Sequence, residues 1–192
     1  QQNGTPDIEF AATGLLARNY LASGQPGNAR RALESLRARL VDQGHTRFLP
    51  NMDAALCRIA LHTGDLDSAD AWYREKAPRD PMHLNVMKRY QYLTQAQVEL
   101  ADGTPEAALL TLAPLGPYCE NCCRYIDSIH VDALTALALY RMRREGWQEK
   151  LTRAMTTAAE FGFIRSLSVY GAAILPLLAE LPWTGNDRWY KR

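Results

Sequence analysis

One pattern recurs along this chain at near-even intervals and limits what it can fold into. A glycine is followed five residues later by an alanine, and four further on by a large apolar residue. The copies read Gly24-Ala29-Leu33, Gly64-Ala69-Tyr73 and Gly103-Ala108-Leu112, with a looser one at Gly146-Leu151-Met155. The glycines stand roughly 40 residues apart, the spacing of a helical repeat array. Each glycine lies between two stretches of helical apolar period, so each copy predicts a helix, a tight turn and a second helix. The turn calls for a residue that tolerates positive φ and close backbone approach, hence glycine. The alanine marks where the second helix passes close to the first. Arrays of this kind present an extended concave surface that binds something.

Helix boundaries follow from caps and breakers. Thr5-Pro6 with Asp7 and Glu9 opens a first helix that runs to about Ser23. Asn28 is expected to cap the second, with Ala29, Leu33, Leu36 and Leu40 on one face and Gly44 at its end. The next pair starts near Pro50 and turns at Gly64, with Asp65 as cap and Trp72 and Tyr73 as packing residues. A long helix is expected from Asp80-Pro81 to about Leu100, and Thr104-Pro105-Glu106 starts its partner, which Pro114, Gly116 and Pro117 end. Further helices are expected over 126–141, 147–160 and 164–181, the last kinked or split at Pro176. No alternating β-branched run occurs. The fold class is therefore all-α, about four and a half helical hairpins stacked into an α-solenoid over residues 1–181. Residues 182–192 form a tail or a linker to another domain. Helices of ~17 residues are ~25 Å long.

Composition excludes several functions. The formal net charge is +1, which argues against a nucleic-acid clamp or a membrane-surface binder. No apolar run reaches about 18 residues, so no transmembrane helix is expected. The start, Gln1-Gln2-Asn3-Gly4, has neither an initiator Met nor a signal pattern, and the simplest expectation is a segment of a longer protein. The four cysteines do not have the spacing of a disulfide-stapled module, and a reducing cytoplasm is the default.

The pattern resembles a known family. The glycine-to-alanine turn signature is that of tetratricopeptide repeats. The longer repeat looks like the sensor domain of MalT-like regulators in the LuxR family of bacterial transcription factors. The stretch Tyr92-Leu93-Thr94-Gln95-Ala96-Gln97-Val98, then Gly103 to Leu109, then Leu112, resembles that family's "YLxLARvxxAxGxxxEALxLL" run. Asp132-Ala133-Leu134 with Ala136 and Leu137 resembles its next helix, and Ala158 to Arg165 its "lAxxxGyvR" ending. The likeness covers about residues 47 to 181. Where the family continues to an acidic pair before a glycine, this chain has Val169 and Tyr170 before Gly171. The resemblance implies an internal sensor segment. In relatives an inducer bound by the repeats, with ATP on an N-terminal switch domain, drives self-association and promoter binding by a C-terminal helix-turn-helix. No G-x-x-x-x-G-K-[ST] phosphate loop occurs in this chain, so ATP is expected only on such a further domain.

In tetratricopeptide stacks the first helix of each pair lines the concave side. Those inward positions fall on Arg18 in the first repeat, and on Asn51, Arg58 and His62 in the second. The third contributes Tyr90 and Gln97, and the fourth Tyr140, Arg143 and Arg144. They are polar, aromatic or cationic, which suits a hydrogen-bonding or anionic small molecule, or a peptide. Exposed helix faces are polar in any case, and that is the plainer account of the same residues.

Other constellations carry less. Cys119-Glu120-Asn121-Cys122-Cys123 could form a zinc site with His130, but Cys123 and His130 would stand ~10 Å apart on one helix. Reduced thiols packed in an interhelical loop are the first reading, a C-x-x-C redox pair the second and a metal the third. Asp65-x-Asp67-x-x-Asp70 lacks the glycine and distal glutamate of a calcium loop and reads as a capped helix start. Arg141, Arg143 and Arg144 read as a solvated helix end. No catalytic constellation occurs, so the chain is not expected to be an enzyme. The expected function is effector sensing coupled to self-association and to DNA binding by another domain of a cytoplasmic regulator. A protein-binding scaffold without a small-molecule ligand is the alternative.

Overall fold

In the computed structural model the described residues are 5–80, 84–163, 165–183 and 185. Every regular element among them is helical. The chain divides into two compact units, one of 1–79 with 85–94 and one of 80–84 with 95–192.

The first unit holds α1 (Pro6–Ala22), α2 (Pro26–Asp42), α3 (Leu49–Thr63) and α4 (Leu66–Lys76), with a 3-10 turn, Thr46–Phe48, before α3. α1 pairs with α2, α3 pairs with α4, and α2 packs against α3. These are tetratricopeptide-like hairpins. Leu33, Leu36, Leu40, Phe48, Met52 and Ile59 form the core, and Phe10 stacks on Phe48 with ring centroids 5.0 Å apart. Each such side chain, fully buried, contributes about 1.5–3 kcal/mol of transfer free energy. Ala29 and Ala69 are buried at the expected crossings. Trp72 occupies the buried position beside Ala69, while its neighbour Tyr73 is only half-buried.

α5 (Arg89–Ala101) gives its first turns to this unit and its later ones to the second. The second unit continues with α6 (Pro105–Leu112), α7 (Leu115–Asn121), α8 (Tyr125–Arg141), α9 (Trp147–Phe161), α10 (Arg165–Ser168) and α11 (Leu175–Glu180). α8 is its central helix: α6, α7, α9 and α10 all pack against it. Ala133, Ala136 and Ala138 on α8 meet no solvent, and neither do Ala154 and Ala158 on α9. Small residues there let the helix backbones approach.

Helix ends explain the repeated glycines. α1, α2, α3, α5, α7, α8 and α9 all close with the same bond, from a backbone N–H beyond the end to a carbonyl five residues back. Examples are Gln25 to Tyr20 at 2.8 Å, Asp65 to Ala60 at 2.9 Å and Thr104 to Glu99 at 2.9 Å. This closure places one residue in the left-handed region, which glycine adopts without steric cost. Gly24, Gly64 and Gly103 have φ of 69°, 75° and 78°. A Cβ at any of the three would meet no atom within 4 Å, so the expected close approach is not what selects them; the positive φ is. At α7 and α8 the left-handed position is held by Cys123 (φ 52°) and Arg143 (φ 53°). The fourth copy of the pattern is loose for this reason. Its turn uses Arg143 first and Gly146, at φ 90°, second.

Several boundaries differ from expectation. Thr5 starts α1 through its carbonyl, which accepts from Ile8 and Glu9, and not through its side chain. Asn28 lies inside α2, because Pro26 already holds the first helical position. The helix expected from Asp80-Pro81 begins only at Arg89; Pro81 itself lies outside the described residues. Asn85 sets that start by accepting the backbone N–H of Met87 and Lys88, both at 3.0 Å. Gly116 and Pro117 do not end a helix but sit in the first turn of α7, where the N–H that proline lacks would have no intrahelical partner. The last expected helix is broken by the positive φ of Gly171 (52°), and Pro176 sits harmlessly in the first turn of α11. Ile164 and most of the 182–192 tail lie outside the described residues.

Candidate functional site

The residues of interest in the first unit gather where α3 faces the first turns of α5. The Arg58 guanidinium lies over the Tyr90 ring, 3.9 Å from its centroid. Its Nε donates to Thr94 Oγ1 at 2.7 Å and its Nη2 to the Tyr90 carbonyl at 3.3 Å. Thr94 Oγ1 in turn donates to the same carbonyl at 2.9 Å. Two turns earlier on α3, Asn51 Oδ1 accepts from Gln91 Nε2 at 3.0 Å, and both side chains are buried. Arg58 itself is only half-buried. The arrangement fixes a planar cation on an aromatic face with its neighbours already bonded. Such a cation pays little ordering entropy on meeting a ligand acceptor.

Three of the sequence-derived residues, Asn51, Arg58 and Tyr90, are thus brought onto one wall. His62 is exposed in the last turn of α3, and Arg18 is exposed on α1. In the second unit Gln97 is half-buried on α5. Tyr140 donates its hydroxyl to Glu180 Oε1 at 2.5 Å and stands edge-on to Trp147. That bond pushes the Tyr140 pKa up, because it is made to a carboxylate that repels the phenolate. Arg143 and Arg144 lie past the end of α8, in its closing turn, and both are exposed. Arg141, read as serving its own helix end, donates to the Leu100 carbonyl at the end of α5 instead.

A family model of the MalT-like TPR region matches residues 1–182. The chain belongs to the MalT-like TPR region family. No curated protein and no solved structure matches the chain.

Sequence reasoning missed part of what holds this MalT-like region together. Gln91 and Thr94 complete the α3–α5 wall and were not singled out. A signal for Gln91 existed. Bonded side chains recur forty residues apart: Asp7 with Arg47, Asn51 with Gln91, His130 with Tyr170, and Tyr140 with Glu180. Forty residues is the repeat interval, so these pairs are equivalent positions on successive repeats, the nearest-neighbour contacts of an array.

Among the described residues of the MalT-like region are two concavities not lined by the residues above. One, of about 220 Å³, lies among α2, α3 and α4 and includes Trp72, Cys57 and Asp53. Asp53 links Arg37 at 2.8 Å and Lys76 at 3.1 Å. Burial pushes the Cys57 thiol up to about 12, so it stays protonated. The other, of about 300 Å³, lies among α7, α8 and α9. There Arg153 Nε donates to Asp132 Oδ2 at 2.6 Å, and its Nη2 bonds Asp132 Oδ1 as well. The Asp132 bonds, and then the nearby carboxylates, hold the Arg153 pKa up.

The cysteine run is not one loop. Cys119 is buried in the last turns of α7, while Cys122 and Cys123 are exposed beyond it. Cys123 precedes α8, so it shares no helix with His130, whose Nδ1 lies 2.7 Å from the Tyr170 hydroxyl. Among the described residues no three potential metal ligands gather. No helix among them is long and apolar enough to cross a membrane.

Proposed function

We propose that this chain is the effector-sensing segment of a LuxR-family, MalT-like transcription regulator of the cytoplasm. It binds a small molecule or short peptide and couples occupancy to self-association. DNA binding belongs to a helix-turn-helix elsewhere in a longer protein, and ATP to a separate switch domain. The segment itself is not an enzyme and takes neither nucleic acid nor membrane as partner. Membership of the family supports the regulatory reading. The observation that carries the ligand reading is Arg58, held on Tyr90 and Thr94 with its edge still partly open to water. A polar group so oriented matches a ligand oxygen or carboxylate.

The test is a thermal-shift screen of metabolites and short peptides on the wild-type chain and on Arg58→Lys. A ligand at a hundredfold excess over its Kd adds about 2.7 kcal/mol to stability. Lysine keeps the charge but loses the planar fork and the stacking. The shift should therefore shrink in Arg58→Lys, while duplex DNA produces none. A ligand that binds both proteins equally, or tight binding of DNA, would overturn the reading.

A protein-binding scaffold without a small-molecule role is the second reading. It is favoured by the exposed apolar face of α1, where Ile8 is 68% and Leu15 61% accessible. A partner segment that still binds after Arg58→Lys but is lost after Leu15→Glu would select it.

A further inference from the structure

The 300 Å³ cavity among α7, α8 and α9 brings thiols and guanidinium groups to one place. Cys123 lines it and is exposed; Cys119 also lines it and is buried; Cys122, adjacent in sequence to Cys123 and equally exposed, does not line it. Cys123 has a left-handed backbone, with φ 52°. Arg124 and Arg153 stand in the same wall, with Ser128 and Thr157 as hydroxyl neighbours. Arg124 gives its Nε to Asp127 at 2.6 Å, and its side chain, with five donors in all, stays partly exposed. Arg153 is anchored by Asp132, and its remaining contact, Nη1 to Glu120 at 3.3 Å, is an exposed ion pair that an incoming carboxylate can replace. A cavity near 300 Å³ is at the lower end of small-ligand sites. An occupant that suits these walls is small, carries carboxylates for the two guanidinium groups, and brings a sulfur to Cys123.

We propose that Cys123 is the attachment point of a small acidic thiol, held as a mixed disulfide with its carboxylates on Arg124 and Arg153. The co-reactant is the symmetrical disulfide of that thiol. Cys123 gives its proton to solvent, and its thiolate attacks one sulfur of the disulfide. A new S–S bond joins Cys123 to one half. The old S–S bond breaks, and its electron pair leaves on the other half as a thiolate, which takes up a proton. The protein thiol is oxidised and the external disulfide is reduced, with no other oxidant needed.

The test exposes the native full chain to oxidised glutathione, an acidic disulfide, and follows each cysteine by intact mass and peptide mapping over time. Cys123 should be modified at least tenfold faster than Cys122. The fast phase should vanish in Cys123→Ser and persist in Cys122→Ser. With 2-hydroxyethyl disulfide, which is neutral, the preference should fall towards equality, because the guanidinium groups no longer act. Faster modification at Cys122, or equal rates with the acidic probe, would overturn the proposal. So would an undiminished Cys123 preference with the neutral one. Using a change of probe rather than loss of an arginine keeps the test independent of folding, since Arg153 also holds the buried Asp132.

Discussion

Asn51 and Gln91 stand one repeat apart, forty residues, and join their buried side chains through a single 3.0 Å bond from Gln91 Nε2 to Asn51 Oδ1. The pair ties α3 to α5 beneath the Arg58 wall. Removing one partner leaves the other buried with an unmet polar group, which costs about 1–3 kcal/mol. Asn51→Leu should lower stability by that amount, and Gln91→Leu similarly. The double variant Asn51→Leu/Gln91→Leu should recover part of the loss, since no orphan remains. Urea unfolding of the four proteins closes the cycle. Additive losses would mean the bond contributes nothing.

The second unit has its own tie, between Asp132 on α8 and Arg153 on α9. The Asp132 side chain is only 3% accessible, whereas that of Arg153 is 47% accessible. Arg153→Met keeps the packing stem but leaves the carboxylate buried without its counter-charge. A fully enclosed pair broken in this way costs roughly 3–5 kcal/mol. Here one member stands half in water, so a loss of about 2 kcal/mol is expected. Arg153→Lys should restore less than half of it, because an ammonium cannot reach both oxygens in one plane. Thermal denaturation of both variants measures this, and a wild-type midpoint for Arg153→Met would refute it.

The helix-end geometry makes a paired prediction. Gly64 has φ 75° and open space around the site of a Cβ, so Gly64→Ala introduces only the left-handed penalty, about 1 kcal/mol. Arg143 already bears that penalty at φ 53°. Arg143→Gly should therefore raise stability, by up to about 1 kcal/mol once the looser unfolded chain is allowed for. For a chain of this size each kcal/mol moves the melting midpoint by about 2–4 °C. Two shifts of the same sign would show that these turns relax on substitution.

These cases also mark what was legible beforehand. Helices and turns could be read wherever one residue type has a single reason to be present. Gly24, Gly64 and Gly103 announce the left-handed turn, and Ala29 and Ala69 the crossing. Reading failed where a residue took a conformation that its type seldom takes. Cys123 and Arg143 hide their turns in this way. Proline is ambiguous in the same way: Pro117 and Pro176 are first-turn residues and not breakers. Of the candidate wall, Asn51, Arg58 and Tyr90 were visible from their inward register. Gln91 and Thr94 were not, because a buried polar side chain is recognised by its partner, and the partners sit forty and 36 residues away.

Asp65 offers a test by pH. Hydrogen bonding from Ser68, its side chain first and its backbone N–H second, holds the Asp65 carboxyl below its usual value, and Arg30 at 3.7 Å adds to the effect. The backbone bond, Ser68 N to Asp65 Oδ1 at 3.1 Å, caps α4. With a depressed folded-state value, the unfolded chain binds the proton more readily. The stabilisation is therefore complete above the unfolded-state pKa and is lost as pH falls through the lower, folded one. Asp65→Asn keeps an acceptor for the cap but cannot titrate. Wild type should be the more stable at neutral pH, and the gap to Asp65→Asn should close on acidification below the ordinary aspartate range. Melting curves of the two proteins across that range decide the matter, and a gap that stays constant to the acid limit would assign Asp65 a cap without an electrostatic share.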